Sequence, residues 1–236
     1  MTAAAIAVAA LAALTLLVRW LEPRLAFFPF AGEDVTPSAA GIPFRAHTIE
    51  TADGERLRLW HLAHDAPAAR VVYFHGNGGN LSMWTDILVG LWHERFDVVA
   101  LDYRGYGVSS GRPSEKGLYL DADAVLAYVH DREPLEGVPV IYWGRSLGTA
   151  VAAYAASVRP PAGVVLEAGF PSARAVLETN PLLWLLSWVA SYRFQTSAWM
   201  TSVRRPSLVI HGDRDSVIRT TSGGGCLRRS TSRSGS

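Results

Sequence analysis

From residue 44 onward, short apolar runs alternate with longer segments of helical character. The runs at 44–50 and 56–63 alternate polar and apolar side chains on either side of Asp53-Gly54, so they predict a hairpin. Apolar, β-branched runs predict strands at 71–74, 98–101, 138–143, 163–166 and 207–210. Helices are predicted between them at 83–94, 115–130 and 149–158. This order implies right-handed crossovers, and therefore a mostly parallel sheet flanked by helices.

The N-terminal stretch has a different pattern. Residues 3–18 are uncharged and almost wholly apolar, and Arg19, Trp20 and Arg24 follow. As a helix this stretch would span about 24 Å, close to the roughly 30 Å of a hydrocarbon core. We expect a single membrane anchor at 1–22 rather than a signal peptide or a buried helix, because no charge precedes the stretch and it is apolar on all sides. The two arginines downstream favour a cytoplasmic globular domain.

Composition supports one globular domain. The 236 residues are 49% hydrophobic, enough for one core, which we place at 44–218 after a connector at 23–43. The connector carries Phe27-Phe28-Pro29-Phe30, which either packs on the domain or lies at a membrane surface. The net charge of +1 gives no indication of a nucleic-acid partner. The single cysteine, Cys226, excludes an intramolecular disulfide framework.

The predicted strand at 138–143 leads into Gly144-Arg145-Ser146-Leu147-Gly148, and a predicted helix follows. In such a turn the serine takes a strained conformation that lifts its hydroxyl above the sheet edge. This nucleophile elbow would present Ser146 to an acyl carbon, and the backbone N–H of Leu147 could stabilise the resulting oxyanion. An ordinary Gly-Ser turn between two core elements is the alternative interpretation.

Three more segments follow predicted strands: His75-Gly76-Asn77-Gly78-Gly79-Asn80, Asp102-Tyr103-Arg104-Gly105-Tyr106-Gly107 and His211-Gly212-Asp213-Arg214-Asp215. With the elbow, they occur in the order seen in the α/β-hydrolase superfamily. The chain resembles its membrane-anchored, serine-aminopeptidase-type branch, which includes acyl-protein thioesterase-like relatives. The resemblance implies an α/β-hydrolase fold. It also implies cleavage of ester, thioester or amide bonds through an acyl-enzyme, without a metal or organic cofactor.

The resemblance also implies roles for individual residues. Ser146 is the nucleophile, and the backbone N–H of Asn77 is the second oxyanion donor. The His-Gly-x-x-Asp pattern selects Asp215 as the acid of a catalytic triad. Asp213 is then a turn residue, and Glu167, after the preceding strand, is a lower-ranked substitute acid.

An insertion at about 171–205 is rich in apolar and aromatic residues. Its position corresponds to a lid over the nucleophile, and Trp184 and Trp188 are its candidate substrate-binding residues. The composition suits an acyl chain or another apolar group of a small-molecule or acylated substrate. Alternatively, these aromatic residues pack on the core or on the membrane surface.

No histidine follows Asp215, although the family's base lies beyond the acid. His75 is expected to hold its loop rather than act as a base. Residues 219–236 are polar and low in complexity, which predicts an atypical, disordered tail. Either the reading frame or gene end is altered after about Ile218, or a histidine such as His75 or His211 is recruited. We therefore expect a serine hydrolase with impaired activity, or alternatively a membrane-tethered, non-catalytic binding protein that retains the pocket.

Overall fold

A computed structural model of the chain describes residues 2–179, 184 and 187–212. Within these residues the helices are α1 (Ala3–Ala26), α2 (Leu81–His93), α3 (Glu115–Ala127), α4 (Leu147–Val158), α5 (Ala173–Leu177) and α6 (Thr196–Ser202). The strands are β1 (Phe28–Pro29), β2 (Arg45–Glu50), β3 (Arg56–Leu62), β4 (Ala69–Phe74), β5 (Gly78–Gly79), β6 (Phe96–Leu101), β7 (Val140–Arg145), β8 (Gly163–Glu167) and β9 (Ser207–Ile210).

The main sheet is mostly parallel, as predicted. In the described part of the chain its seven strands lie in the order β2-β3-β6-β4-β7-β8-β9. The predicted hairpin is confirmed as β2 and β3, which are antiparallel, and β3 is also antiparallel to β6. The remaining neighbours are parallel. We call the edge at which the parallel strands end the carboxyl edge, and the edge at which they begin the amino edge.

Helices cover both faces of this sheet. Strand β4 is buried along its whole length, which explains why its residues 71–74 form a continuous apolar run rather than an alternating one. Because successive side chains point to opposite faces, Val72 and Phe74 join the core beneath α3 and α4, whereas Val71 and Tyr73 join the core beneath α2. The predicted architecture of a sheet flanked by helices is therefore confirmed.

Helix α1 stands apart from this core. None of its residues is buried, and it contains an 18-residue window with a mean hydropathy of 2.1. By length and composition it could cross a membrane. It runs to Ala26, four residues past the predicted end of the anchor at 22. Its lack of burial argues against the interpretation of a core helix.

Two local features differ from the sequence prediction. The helix predicted at 115–130 ends at Ala127, and a wider π-type turn follows over Tyr128–Arg132. The carbonyls of Val129 and Glu133 there accept hydrogen bonds from the buried Arg70 guanidinium, which favours the wider turn. In addition, the connector forms a short parallel pair with the loop after β4, in which Phe28 lies opposite Gly78.

Candidate active site

Ser146 lies at the carboxyl edge, between the end of β7 and the start of α4. Its backbone has φ 50° and ψ −116°, a conformation that L-residues rarely adopt and that costs about 1–3 kcal/mol. The Ser146 N–H donates to the Glu167 carbonyl at 2.9 Å, while the Thr149 N–H and hydroxyl donate to the Ser146 carbonyl at 3.0 and 2.6 Å. These bonds hold the strained residue from both sides.

Close backbone packing explains the two glycines of the elbow. A Cβ atom on Gly144 would lie 2.2 Å from the Gly148 carbonyl oxygen, and one on Gly148 would lie 2.0 Å from the Phe74 carbonyl oxygen. Any side chain at either position would therefore displace backbone. The second contact presses the start of α4 against the end of β4, and so brings the elbow next to the loop that begins at His75.

That loop carries Asn77, and several groups hold it. The Asn77 side-chain amide donates to the Ala26 carbonyl at 2.7 Å. The Tyr106 hydroxyl donates to the Asn77 side-chain oxygen at 2.9 Å or to its carbonyl at 3.0 Å. The backbone N–H groups of Asn77 and Leu147 have no hydrogen-bond acceptor within the described residues. Two segments in contact thus each carry an N–H donor without an acceptor in the described part of the chain, and one of these donors, on Leu147, directly follows Ser146.

His75 is completely buried beneath this loop. Its Nδ1 lies 2.7 Å from the Gly76 carbonyl and must carry the proton, because a carbonyl only accepts. Its Nε2 lies 3.5 Å from Asp102 Oδ1, and the ring packs on Tyr103 with 4.3 Å between centroids. Burial lowers the His75 pKa to about 4, although the bond to Gly76 opposes the shift. These contacts match the expected loop-holding role.

Asp102 joins the same arrangement from the end of β6. Its Oδ1 accepts from the Leu81 N–H at 2.8 Å, at the first residue of α2. Burial raises its pKa to about 7, a shift that the Leu81 bond only partly offsets. A Cβ on Gly107 would lie 2.1 Å from Asp102 Oδ2, so the turn closes directly over the carboxyl group. Asp102 therefore supports the loops of the site rather than an accessible surface.

Glu167, the substitute acid, has both carboxylate oxygens engaged. One accepts from Arg145 at 2.7 Å, and the other accepts from the Trp143 indole at 3.2 Å. The Arg145 guanidinium also lies over the Trp84 ring, 5.4 Å from its centroid. The Trp84 indole donates to the Gly78 carbonyl at 3.2 Å. A Glu167–Arg145–Trp84 series thus links β8, the elbow and the Asn77 loop, a connection that no local sequence pattern indicated.

The aromatic insertion divides into packed and exposed parts. Phe194 is buried in the core, and its ring contacts Phe27 at 6.1 Å and Phe170 at 6.5 Å. Trp184 and Trp188 contact each other at 6.3 Å but are 47% and 65% exposed. Packing on the core therefore accounts for Phe194, while substrate binding by the two tryptophans stays a prediction.

Other predicted residues lie outside the described structure or away from Ser146. Asp213, Asp215 and residues 219–236 fall outside the described ranges. Among the seven histidines, His75 and His211 follow strands that end at the carboxyl edge. Within the described ranges no group of three or more His, Cys, Asp or Glu residues could hold a metal ion.

Comparison with known proteins gives the family. The family of the alpha/beta hydrolase fold matches residues 69–181, which include the loop after β4 and the elbow. An uncharacterized protein of Mycobacterium tuberculosis is 36% identical over 205 residues, covering 85% of this chain and 72% of that protein. The chain belongs to the α/β-hydrolase family. The fold and the hydrolase classification expected from the sequence are therefore confirmed.

Two further relatives add to this classification. An uncharacterized membrane protein of Saccharomyces cerevisiae is 32% identical, covering 78% of this chain and 66% of that protein. Together with α1, this similarity fits membrane anchoring. An esterase of Pyrococcus furiosus has the same fold, with a TM-score of 0.66, 20% identity, and coverage of 82% of this chain and 78% of that one.

Proposed function

We propose that this α/β-hydrolase is built as a serine hydrolase that cleaves ester, thioester or amide bonds through an acyl-enzyme. One observation carries the proposal. Ser146 has a strained φ of 50°, and the N–H groups of the adjacent Leu147 and of Asn77, in the loop that packs against the elbow, have no acceptor within the described residues. A raised serine next to two unused N–H donors is what the formation of a tetrahedral oxyanion requires.

In the proposed route Ser146 Oγ bonds to the carbonyl carbon while its proton passes to a base. The N–H groups of Asn77 and Leu147 stabilise the negative charge on the carbonyl oxygen. The intermediate then breaks its bond to the alkoxide, thiolate or amine leaving group, which takes up the proton. Water attacks the acyl-enzyme in the same way, releases the acid and returns a proton to Ser146. Asp215 is the proposed acid that orients the base, and no metal or organic cofactor takes part.

Of the groups that the proposed mechanism needs, the base has the least support in this chain. His75 has its Nδ1 on Gly76 and its Nε2 facing Asp102, so neither ring nitrogen is directed to a proton of Ser146. We therefore expect low turnover of p-nitrophenyl esters by the 236-residue chain, because losing a triad base reduces turnover by a factor on the order of 10⁶.

Labelling with a fluorophosphonate probe tests the proposal without requiring turnover. Three forms are compared: the chain itself, the chain with added imidazole as a substitute base, and a version extended by the strand and histidine that the family resemblance implies. Labelling that rises in the last two forms and disappears in Ser146→Ala supports the hydrolase. Labelling in none of them favours the second candidate, a membrane-tethered binding protein. Its motivating observation is that His75 is fully buried, with Nδ1 bonded to the Gly76 carbonyl and Nε2 facing Asp102.

The membrane part of the proposal is a single-pass anchor with the globular domain on the cytoplasmic side. Arg19 and Arg24 follow the apolar stretch and favour that side. Accessibility of the domain to protease in sealed, right-side-out membrane vesicles checks this orientation. Digestion of the domain by protease added outside the vesicles would contradict the cytoplasmic orientation.

A further inference from the structure

The last turn of α1 is attached directly to the candidate active site. The Glu22 carboxylate accepts from the backbone N–H groups of Ser191 and Tyr192, each at 2.8 Å, and from the Ser191 hydroxyl. One turn later, the Ala26 carbonyl accepts from the Asn77 side chain at 2.7 Å. The end of the apolar helix therefore contacts both the proposed oxyanion loop and the aromatic insertion.

These contacts determine how far the site can lie from a membrane. Asn77 is bonded to Ala26, six residues beyond Trp20 at the end of the apolar stretch. Six helical residues span about 9 Å. The headgroup layer on each side of a bilayer is about 5–8 Å thick. If α1 spans the bilayer, the Asn77 loop lies beside the headgroups rather than free in solution.

A series of packed aromatic rings joins the end of α1 to the loop after β8. Phe27 contacts Tyr192 at 5.4 Å and Phe194 at 6.1 Å, and Phe194 contacts Phe170 at 6.5 Å in the loop after β8. Glu115 holds these rings from the side of α3, because its carboxylate accepts from the Phe194 N–H at 2.7 Å. Phe27 and Phe194 are buried, so the rings fix the end of α1 against the carboxyl edge of the sheet.

The exposed residues nearby suit the same environment. Trp188 lies three residues before Ser191 and is 65% exposed. The Arg174 guanidinium lies over its ring, 5.2 Å from the centroid. Tryptophan and arginine side chains are characteristic of the headgroup level of membranes. The opposite, amino edge carries no comparable attachment to α1 within the described residues.

From this arrangement we infer that the substrate is an amphiphile resident in the bilayer, with its scissile acyl bond at headgroup level. The carboxyl edge of the domain faces the membrane from which α1 emerges. The inference rests on the proposed function and on membrane insertion of α1, and it narrows the substrate class to membrane-held esters, thioesters or amides.

Depth measurements test the geometry independently of catalysis. In a Cys226→Ser background, a fluorophore is attached to Trp188→Cys or, as matched control, to Val158→Cys. Val158 is 50% exposed and ends α4, far along the helix from Ser146. In phosphatidylcholine vesicles with brominated acyl chains, we expect clear quenching at 188 and little at 158. Equal quenching at both positions overturns the inference.

Probe competition tests the substrate class. A long-chain alkyl fluorophosphonate dissolved in phosphatidylcholine vesicles is compared with a short water-soluble one on the full chain, both with added imidazole. A variant with an inserted Gly/Ser linker of about 20 residues between Trp20 and Leu21 keeps the anchor and the Glu22 contacts but lets the domain move by about 25 Å. We expect the preference for the embedded probe to fall about tenfold in this variant, with soluble-probe labelling unchanged.

The outcomes separate the two proposals. No labelling of Ser146 by either probe in any form contradicts the hydrolase proposal, and quenching at 188 then still decides the geometry. Labelling by the soluble probe alone, or a preference that the linker does not alter, contradicts the inference and leaves the hydrolase proposal standing.

Discussion

The two edges of the sheet each contain a buried histidine–aspartate pair, but the pairs differ in their third partner. At the amino edge, His61 Nε2 lies 3.0 Å from Asp97 Oδ2, and Arg70 Nε lies 2.5 Å from Asp97 Oδ1. At the carboxyl edge, His75 Nε2 lies 3.5 Å from Asp102 Oδ1, and no arginine bonds to Asp102 within the described residues. Arg58, whose charge acts on Asp102, is itself paired with Glu33 at 3.0 Å.

This difference reverses the direction in which the pKa is shifted at two almost fully buried carboxyl groups. Burial alone would raise the pKa of Asp97, but hydrogen bonds from His61 and Arg70 outweigh it and lower the pKa. Asp102 lacks the cation, so burial dominates and raises its pKa to about 7. The amino edge is thus closed by a compensated ionic network. The carboxyl edge retains strained backbone and unused donors, as expected for a site whose electrostatics serve a ligand.

Removal of Arg70 should give the largest loss of stability, because it takes the cation away from the amino-edge network. Arg70→Leu leaves Asp97 buried without its cation and removes the donor to the Val129 and Glu133 carbonyls. We expect a loss of about 3–5 kcal/mol in the free energy of unfolding, measured by chemical denaturation of the full chain in detergent micelles. The matched control is Arg159→Leu, which breaks an exposed pair with Asp131 and should change stability far less. Equal losses would show that the amino-edge network has no special role.

Asp102→Asn should reveal a pH dependence of the free energy of unfolding that is largely cancelled in the wild type. The folded-state pKa of His75, about 4, lies below the ordinary histidine value of 6.5, so His75 favours the fold above pH 6.5 and loses that contribution as pH falls toward 4. The folded-state pKa of Asp102, about 7, lies above the ordinary aspartate value of 3.8, so Asp102 stabilises the fold at low pH and loses that contribution as pH rises toward 7. The two trends oppose each other in the wild type.

In Asp102→Asn only the His75 trend remains, and stability should fall by up to about 3 kcal/mol between pH 6.5 and 4 relative to wild type. His75→Gln should show the opposite trend, with stability falling from pH 4 to 7. The measurement is the free energy of unfolding at several pH values for the three proteins. Parallel curves would mean that the pair does not titrate as described.

Gly148→Ala should destabilise the protein, and it tests the tight backbone contact at the carboxyl edge. Its Cβ would lie 2.0 Å from the Phe74 carbonyl oxygen, so β4 and α4 must separate, at a loss of about 1–3 kcal/mol. Gly90→Ala, in the exposed middle of α2 with no atom within 4 Å of the added Cβ, should instead gain about 0.5–1 kcal/mol. Thermal unfolding midpoints of both variants check the opposite signs. A neutral Gly148→Ala would contradict the contact.

Ser146→Gly should produce the smallest change in the free energy of unfolding. It should stabilise the protein, whereas most substitutions at the site should destabilise it. Glycine accepts the positive φ of 50° without strain, so the variant should gain about 0.5–1 kcal/mol in stability. Ser146→Ala is the control, because it removes the hydroxyl but keeps the Cβ and therefore the strain. If both variants had wild-type stability, the elbow would not be strained.

The sequence by itself determined the elements and the elbow. Periods of 2 and 3.6 residues are local properties, so the hairpin, the helix after Ser146 and the strand at 207–210 could be placed from contiguous residues. The elbow is contiguous as well, although only Gly144 is needed for a contact within the turn, whereas Gly148 is needed for the contact with Phe74 of β4. The apolar helix α1 could be recognised because hydropathy depends on composition alone. The family order of the loops then gave the hydrolase classification.

The contacts between residues far apart in the sequence became known only from the tertiary structure. Asn77 and Ala26 are 51 residues apart, and Glu22 is 169 residues from Ser191, so no local pattern could reveal that α1 contacts the loops of the proposed active site. The same applies to Arg70, which bonds to Asp97 rather than Asp102 although both carboxyl groups belong to β6 or its end. Strand order and side-chain reach determine such pairs. The charge of a buried group follows from the partner that the fold brings to it, which residue type alone does not specify.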